Sequence, residues 1–188
     1  MLEYEKKLML TKDEYAVLTA QCKGMCVEMQ TNYYFDTDDL TMNRKGITCR
    51  IRAKNGKYRT TIKNHCTENP SCSIEEHICE SNEFNTRIFE ALGLRLQGEL
   101  VTSRIIMYRD SFCEIVLDRN TYLGHTDFEI EVEYSGECET RALEYLKSVA
   151  EYFVSANIND SAEEYLHRIG KGKSKSERFF EWKQSAGR

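Results

Sequence analysis

The chain is 188 residues long, 40% hydrophobic and 30% charged, with 31 acidic against 26 basic side chains and a formal net charge of −5. That length fits one domain spanning 1–188 and suffices for a sizeable core. The acidic balance argues against a surface built for nucleic acid, and no apolar run approaches a membrane span. Charges within the first three residues predict a chain without a secretory leader. The eight cysteines, at 22, 26, 49, 66, 72, 79, 113 and 138, are therefore expected as reduced thiols in a cytoplasmic protein. They contain no CxxC pair, which argues against a zinc site. Several alternate with apolar residues, as small core side chains do.

In a strand, Glu3, Glu5 and Lys7 of Met1-Leu-Glu-Tyr-Glu-Lys-Lys7 share one face. Carboxylates at i and i+2 lie roughly 6.5–7 Å apart there. Turned outward, they form an ordinary solvated edge. Turned inward, they need a basic side chain or a metal ion beside them. Thr11-Lys-Asp-Glu14 has capping-box spacing and predicts a helix carrying Tyr15, Leu18 and Cys22 inward. A strand is expected over 31–37, with Tyr33, Tyr34 and Phe35, broken by Asp38-Asp39.

Asn55-Gly56 is a two-residue hairpin turn. Pairing outward from it sets Lys54 opposite Lys57, Arg52 opposite Arg59, Arg50 opposite Thr61 and Thr48 opposite Lys63. One face then holds Arg50, Arg52, Arg59, Thr61 and Lys63, and the other is apolar to neutral, from Cys49 and Ile51 to Tyr58 and Ile62. Clustered cations on a sheet face repel one another, and arginine forks suit phosphate oxygens. A loop with the single proline, Pro70, leads to a strand over 73–79 with Ser73, Glu75 and His77 on one face. Ser81 is expected to cap a helix through Leu92, with Phe84, Ile88 and Leu92 at fourfold spacing and Gly93 as its stop.

A strand over 100–109 carries Arg104; the next runs from Phe112 to Leu117, where Asp118 ends it. Asp127-Phe-Glu-Ile-Glu-Val-Glu-Tyr134 alternates strictly and puts Glu129, Glu131 and Glu133 on one strand face. A helix over 139–155 buries Ala142, Leu146, Val149 and Phe153, and Ser161-Ala-Glu-Glu164 offers a capping box for a short helix with Tyr165 and Ile169. The basic tail 170–188, through Lys171-Gly-Lys-Ser-Lys-Ser-Glu-Arg178, reads as solvated and pinned at its end by Phe179 and Trp182.

Two acidic strand faces thus flank a basic hairpin, with Arg104 and a basic tail besides. An open sheet can expose these charges to water. The alternative is an antiparallel barrel with a polar interior and apolar outer faces covered by helices, the inverse of the usual barrel. Such a lumen suits a long polyanion on its cations and a hard, oxygen-seeking metal such as Mg²⁺ or Mn²⁺ on its carboxylates.

These residues resemble a known family. Glu3-Tyr-Glu-Lys-Lys7 is similar to the ExExK signature of the CYTH superfamily, the triphosphate tunnel metalloenzymes, which include class IV adenylate cyclase, thiamine triphosphatase and bacterial tripolyphosphatases. The similarity continues in order through Tyr34-Phe-Asp-Thr37, Gly46-Ile-Thr-Cys-Arg-Ile-Arg52, Thr61-Ile-Lys63, Leu117-Asp118, Tyr122-Leu-Gly124, Glu129-Ile-Glu-Val-Glu133 and Ser174-Lys-Ser-Glu-Arg-Phe-Phe180. The small single-domain bacterial members are the most alike.

The resemblance implies an α+β fold, an eight-stranded antiparallel β-barrel or tunnel with a polar, charged lumen and helices packed outside. By motif position it implies Glu3, Glu5, Glu129, Glu131 and Glu133 as metal ligands, and Lys7, Arg50, Arg52, Lys63, Arg104, Lys175 and Arg178 as phosphate ligands. Lys175 and Arg178 would belong to a segment closing on the tunnel mouth. Glu75, Arg59 and Asp118 are further candidates; only the hairpin pairing turns Arg59 inward, and Glu75 competes with Glu76 for the inner face. Glu177 stands where another basic residue is expected.

The implied activity is metal-dependent hydrolysis of a triphosphate phosphoanhydride, foremost inorganic tripolyphosphate, with Mg²⁺ or Mn²⁺ as cofactor. Glu129, Glu131 and Glu133 would orient the attacking water, and Lys7 would join them in catalysis. A class IV-type adenylate cyclase acting on ATP, or a non-catalytic polyphosphate-binding module, are the alternatives. The partner is then tripolyphosphate or an organic triphosphate, without nucleic acid or membrane, for a monomer or homodimer.

Overall fold

Alternation with a period of two dominates this chain, and a computed structural model describing residues 2–65, 71–158 and 161–186 turns it into eight strands. They are β1 (Leu2–Leu10), β2 (Val27–Asp36), β3 (Ile47–Lys54), β4 (Lys57–His65), β5 (Cys72–Ser81), β6 (Arg95–Arg109), β7 (Cys113–Tyr122) and β8 (His125–Tyr134). All neighbours are antiparallel, and the sheet closes as a barrel in the order β1-β5-β4-β3-β2-β6-β7-β8.

The β3–β4 hairpin has the register expected from Asn55-Gly56, from Lys54 opposite Lys57 to Thr48 opposite Lys63. Both turn residues have left-handed φ, 52° and 75°, as a type I′ turn requires. In β5, Glu75 pairs with Lys63 and turns inward, while its neighbour Glu76 is exposed. Charged residues of one parity therefore line the lumen, and their apolar neighbours face out.

Helices cover that outer surface. α1 (Lys12–Gln21), α4 (Glu139–Ser155) and α5 (Ala162–Arg168) pack on β1, β7 and β8. There Leu8, Leu117, Ile130 and Val132 meet Leu18, Leu146, Phe153 and Tyr165, all nearly or fully buried. The capping box at Thr11 forms as expected: Glu14 N donates to Thr11 Oγ1 at 3.3 Å, and Thr11 N to Glu14 Oε2 at 2.7 Å. Arg168 of α5 donates to both Glu14 oxygens, at 3.0 and 3.1 Å, and ties the two helices together. A second cluster (Phe35, Cys49, Ile51, Phe89 and Leu94) lies beneath α2 (Thr41–Arg44) and α3 (Arg87–Ala91). Fully burying one such side chain is worth about 1.5–3 kcal/mol, so these outer clusters hold the barrel together. No helix among the described residues is long and apolar enough to cross a membrane.

Several local expectations change, among them the start of β6, which is Arg95 and not residue 100. β2 starts at Val27, four residues before the expected strand. Asp118 does not end β7; it sits fully buried in the middle of it, because the inner face of this barrel is the polar one. The helix expected from Ser81 shrinks to Arg87–Ala91, since Ser81 belongs to β5 and its hydroxyl donates to the Glu83 carbonyl at 2.5 Å. Phe89 is its buried residue, whereas Phe84, Ile88 and Leu92 stay exposed. The box at Ser161 does not close through its side chain.

The tail differs most. It is no solvated strand of chain but a helix, α6 (Lys175–Ala186), whose Phe179 and Phe180 are buried against Tyr34, Leu40, Leu100 and Tyr122. At Gly98, with φ of 143°, an added Cβ would meet the Phe179 ring at 2.9 Å, so only glycine lets α6 seat there. Glu177 serves as a cap: Ser174 N donates to Glu177 Oε2 at 2.8 Å, and Glu177 N to Ser174 Oγ at 3.3 Å.

Leu146→Ala is expected to lower the unfolding free energy by about 2–5 kcal/mol. Urea titration followed by circular dichroism measures the change.

Candidate active site

The lumen holds a cavity of about 80 Å³. Its lining includes Glu3, Glu5 and Lys7 of β1, Arg50 and Arg52 of β3, Lys63 of β4, Arg104 of β6, Glu131 and Glu133 of β8, and Lys175 at the start of α6. All but Lys175 are at inward positions of their strands, and Lys175 reaches the cavity from the first residue of α6.

Most of these charges are paired. Lys63 Nζ is 3.0 Å from Glu3, and Lys7 Nζ bridges Glu5 at 2.9 Å and Glu131 at 3.0 Å. Arg50 is bonded to Glu75, and its Nε donates to Thr61 at 3.2 Å. Arg104 forks onto Asp118, with bonds of 2.9 and 2.7 Å, and reaches Glu131 at 2.9 Å. Lys175 Nζ touches three carboxylates: Asp118 at 3.1 Å, Glu129 at 2.7 Å and Glu131 at 2.9 Å. Arg178 grips Asp127 at 2.8 Å and Glu129 at 3.0 Å.

Arg52 is the exception. Its Nε donates to Asn32 Oδ1 at 2.9 Å, and no carboxylate among the described residues pairs with it. Burial and then the neighbouring Arg50 pull its guanidinium down to about 10, against a partial pull upward from Glu75. It stays charged at neutral pH and is short of negative charge. Tyr34, almost wholly buried, also lines the cavity, and its hydroxyl has no hydrogen-bond partner among the described residues.

The protonation states follow from this pairing. Burial pushes the Glu131 carboxyl up, but Lys175, Lys7 and Arg104 outweigh it and hold it well below the usual range. Glu129 is likewise held low, against burial, by Lys175, Arg178 and Lys7. Glu133 goes the other way: burial and the charge of Glu131 raise it, with Arg104 only partly offsetting them. Its side chain keeps 46% of its surface open, which softens that penalty.

One oxygen from each of Asp118, Glu129 and Glu131 lies within 4.8 Å of the other two, and all three side chains are buried. An all-carboxylate set fits a hard divalent cation. The structure thus joins Asp118 to Glu129 and Glu131, while Glu3, Glu5 and Glu133 line the cavity beside this cluster. Arg59 falls outside the site. It stays opposite Arg52 but near the Asn55-Gly56 turn, 56% exposed and bound to Glu80 at 3.0 Å.

Sequence reasoning passed over Asn120 and Asp127. Asn120 is fully buried, donates to Asp127 and Glu129, both at 2.9 Å, and accepts from Thr102 at 2.7 Å. Its signal was there: it stands two residues after Asp118 on the same strand face, as Asp127 stands two before Glu129. The Ser174–Glu177 spacing likewise announces the start of α6.

Glu131→Gln leaves three cations short of a partner, so it is expected to cost about 3–5 kcal/mol at neutral pH. Glu133→Gln has the opposite sign. A carboxyl whose folded-state pKa is raised costs stability once the pH passes that raised value, and costs nothing where it is protonated both folded and unfolded. Thermal melts of the metal-free protein should therefore show Glu133→Gln above wild type at neutral and alkaline pH, and equal to it below the unfolded-state pKa of about 4.3.

A family model described as CYTH domain matches residues 1–157. A provisionally named triphosphatase, YjbK of Bacillus subtilis (strain 168), is 30% identical over 148 residues, covering 70% of this chain and 77% of its own. Among solved structures, a provisionally named adenylate cyclase of Bacillus halodurans superimposes with a TM-score of 0.65 at 24% identity, over 95% of this chain and 97% of its own. The Hippeastrum protein HpAC1, described as having a dominant triphosphatase activity, superimposes with a TM-score of 0.57 at 16% identity, over 96% of this chain and 95% of its own. These two likenesses establish the fold.

Proposed function

The chain belongs to the CYTH domain family, and from that premise we propose that it is a metal-dependent triphosphatase whose substrate is inorganic tripolyphosphate. Triphosphate hydrolysis is supported by the likeness to YjbK. The substrate rests on one observation above the others: Arg52, beside Arg50 and facing the cavity, is a lumen cation without a carboxylate partner among the described residues. A polyanion supplies the missing charge. Among the described lining residues no aromatic ring is free to stack on a nucleobase. The cavity's aromatic lining residue, Tyr34, is committed to Phe179 and Phe180, at centroid distances of 5.0 and 5.9 Å.

Arg50, Arg52 and Lys63 bind the non-bridging oxygens of the phosphate chain and hold it in line. Lys7, between Glu5 and Glu131, and Arg104 neutralise charge on the transferred group. Glu133, with its raised carboxyl and open side chain, is suited to orient water and take its proton. Asp118, Glu129 and Glu131, with Glu5 beside them, would hold Mg²⁺ or Mn²⁺. When bound, the metal supplies a Lewis acid for phosphoryl oxygens and lowers the pKa of a bound water. Asn120 positions Glu129, and Arg178 anchors α6 to the same wall. The seven described cysteines are free thiols, in keeping with a cytoplasmic setting.

A phosphate-release screen over tripolyphosphate, ATP and thiamine triphosphate tests this reading. Tripolyphosphate should be the best substrate, Mg²⁺ or Mn²⁺ should be required, and chelation should abolish turnover. Cyclic AMP and pyrophosphate as the products from ATP would identify a cyclase instead. Arg52→Ala should lower turnover by about a hundredfold or more while the protein stays folded. Undiminished hydrolysis by that variant would remove Arg52 from the site.

A further inference from the structure

The carboxylate cluster of Asp118, Glu129 and Glu131 is already filled by a cation of the chain itself. Lys175 Nζ lies 3.1, 2.7 and 2.9 Å from one oxygen of each, and its side chain is only 10% exposed. Mg²⁺ sits about 2.0–2.1 Å from its oxygens. An ammonium bonded to all three carboxylates and a divalent ion among them would be nearly superposed. The two are mutually exclusive.

The rest of α6 shows where the movement would occur. Phe179 and Phe180 are buried in the apolar end of the lumen, and Arg178 holds Asp127 and Glu129. Trp182 stacks on His125 at 4.1 Å and donates to the Leu123 carbonyl at 3.3 Å. Lys175 is the first residue of the helix, one turn before Arg178 and Phe179, on a four-carbon stem. It also lines the cavity that holds Arg50 and Arg52. Its side chain can leave the cluster for the cavity while the helix stays seated.

We propose that Lys175 is a tethered competitor of the divalent metal, occupying its carboxylates in the metal-free protein and swinging into the cavity when the metal arrives, where it meets a phosphate oxygen. Metal occupancy and substrate binding are thereby coupled through one side chain. The lumen stays neutralised when empty, and a cation is delivered to the substrate only once the metal is in place. This inference rests on the reading of Asp118, Glu129 and Glu131 as metal ligands.

Two measurements without turnover test it. In the first, an amine-reactive ester labels the full-length wild type at increasing Mg²⁺, with peptide mass spectrometry as the readout. Lys175 should be protected without metal and should label at least about tenfold faster at saturation, while the exposed Lys171 and Lys173 stay constant. In the second, calorimetry compares Mn²⁺ binding by wild type and Lys175→Met, which should bind at least about tenfold tighter. Lys63→Met, which removes a lumen charge that does not touch the cluster, should gain less.

Metal binding with Lys175 still protected would overturn the exchange, even if Lys175→Met bound more tightly, because loss of a nearby charge alone can do that. Equal affinities for wild type and Lys175→Met would overturn it too, while leaving the metal site standing. No Mn²⁺ binding by either protein would remove the metal site itself, and the competition with it.

Discussion

Charge can be buried in a barrel lumen only when each group meets its opposite. An isolated carboxylate or ammonium taken out of water carries a penalty of several kcal/mol, and a pair recovers it only with close, well-oriented bonds. The lumen is built to that requirement. Glu129 and Glu131 have no solvent to rely on, and Lys7, Arg104, Lys175 and Arg178 converge on them from two strands and a helix. The inward parity of β1, β6 and β8 is what makes that convergence possible.

Such a network roughly breaks even against an apolar core of the same volume. Stability therefore comes from outside the barrel, where Leu8, Ile130, Val132, Leu146 and Phe153 exclude water. The arrangement separates the two tasks. Outer faces carry the folding energy, and inner faces are free to carry charge for recognition. Asn120 and Thr102, both fully buried, are bonded to one another and so fix the neutral wall beside Glu129.

What the chain disclosed beforehand followed from this division. The β3–β4 hairpin was legible because its turn chemistry and its period of two agree. The Glu129–Glu133 face was legible for the same reason. Errors arose where a rule assumes that polar residues face water. Asp118 looked like a strand breaker because an acidic residue is usually excluded from a strand interior, yet the interior here is acidic. α6 looked like a tail because Phe179 and Phe180 adjoin rather than recur at helical spacing, and their partners lie on the lumen wall, far away in sequence. Fourfold spacing of Phe84, Ile88 and Leu92 misled in the opposite sense: Phe84 packs on Tyr33 and Tyr58 from a loop. Arg59 had the right parity, opposite Arg52, but it lies close to the hairpin turn, exposed and bound to Glu80.

The chain contains one tryptophan, and the fold places it on α6, with its indole stacked on the imidazole of His125 and its N–H on the Leu123 carbonyl. The barrel proper contributes no indole. Indole emission from this protein therefore comes from a single site at the seam between plug and wall, stacked on one aromatic neighbour. The molecule has, by accident of composition, its own spectroscopic gauge of how firmly the tunnel is stoppered.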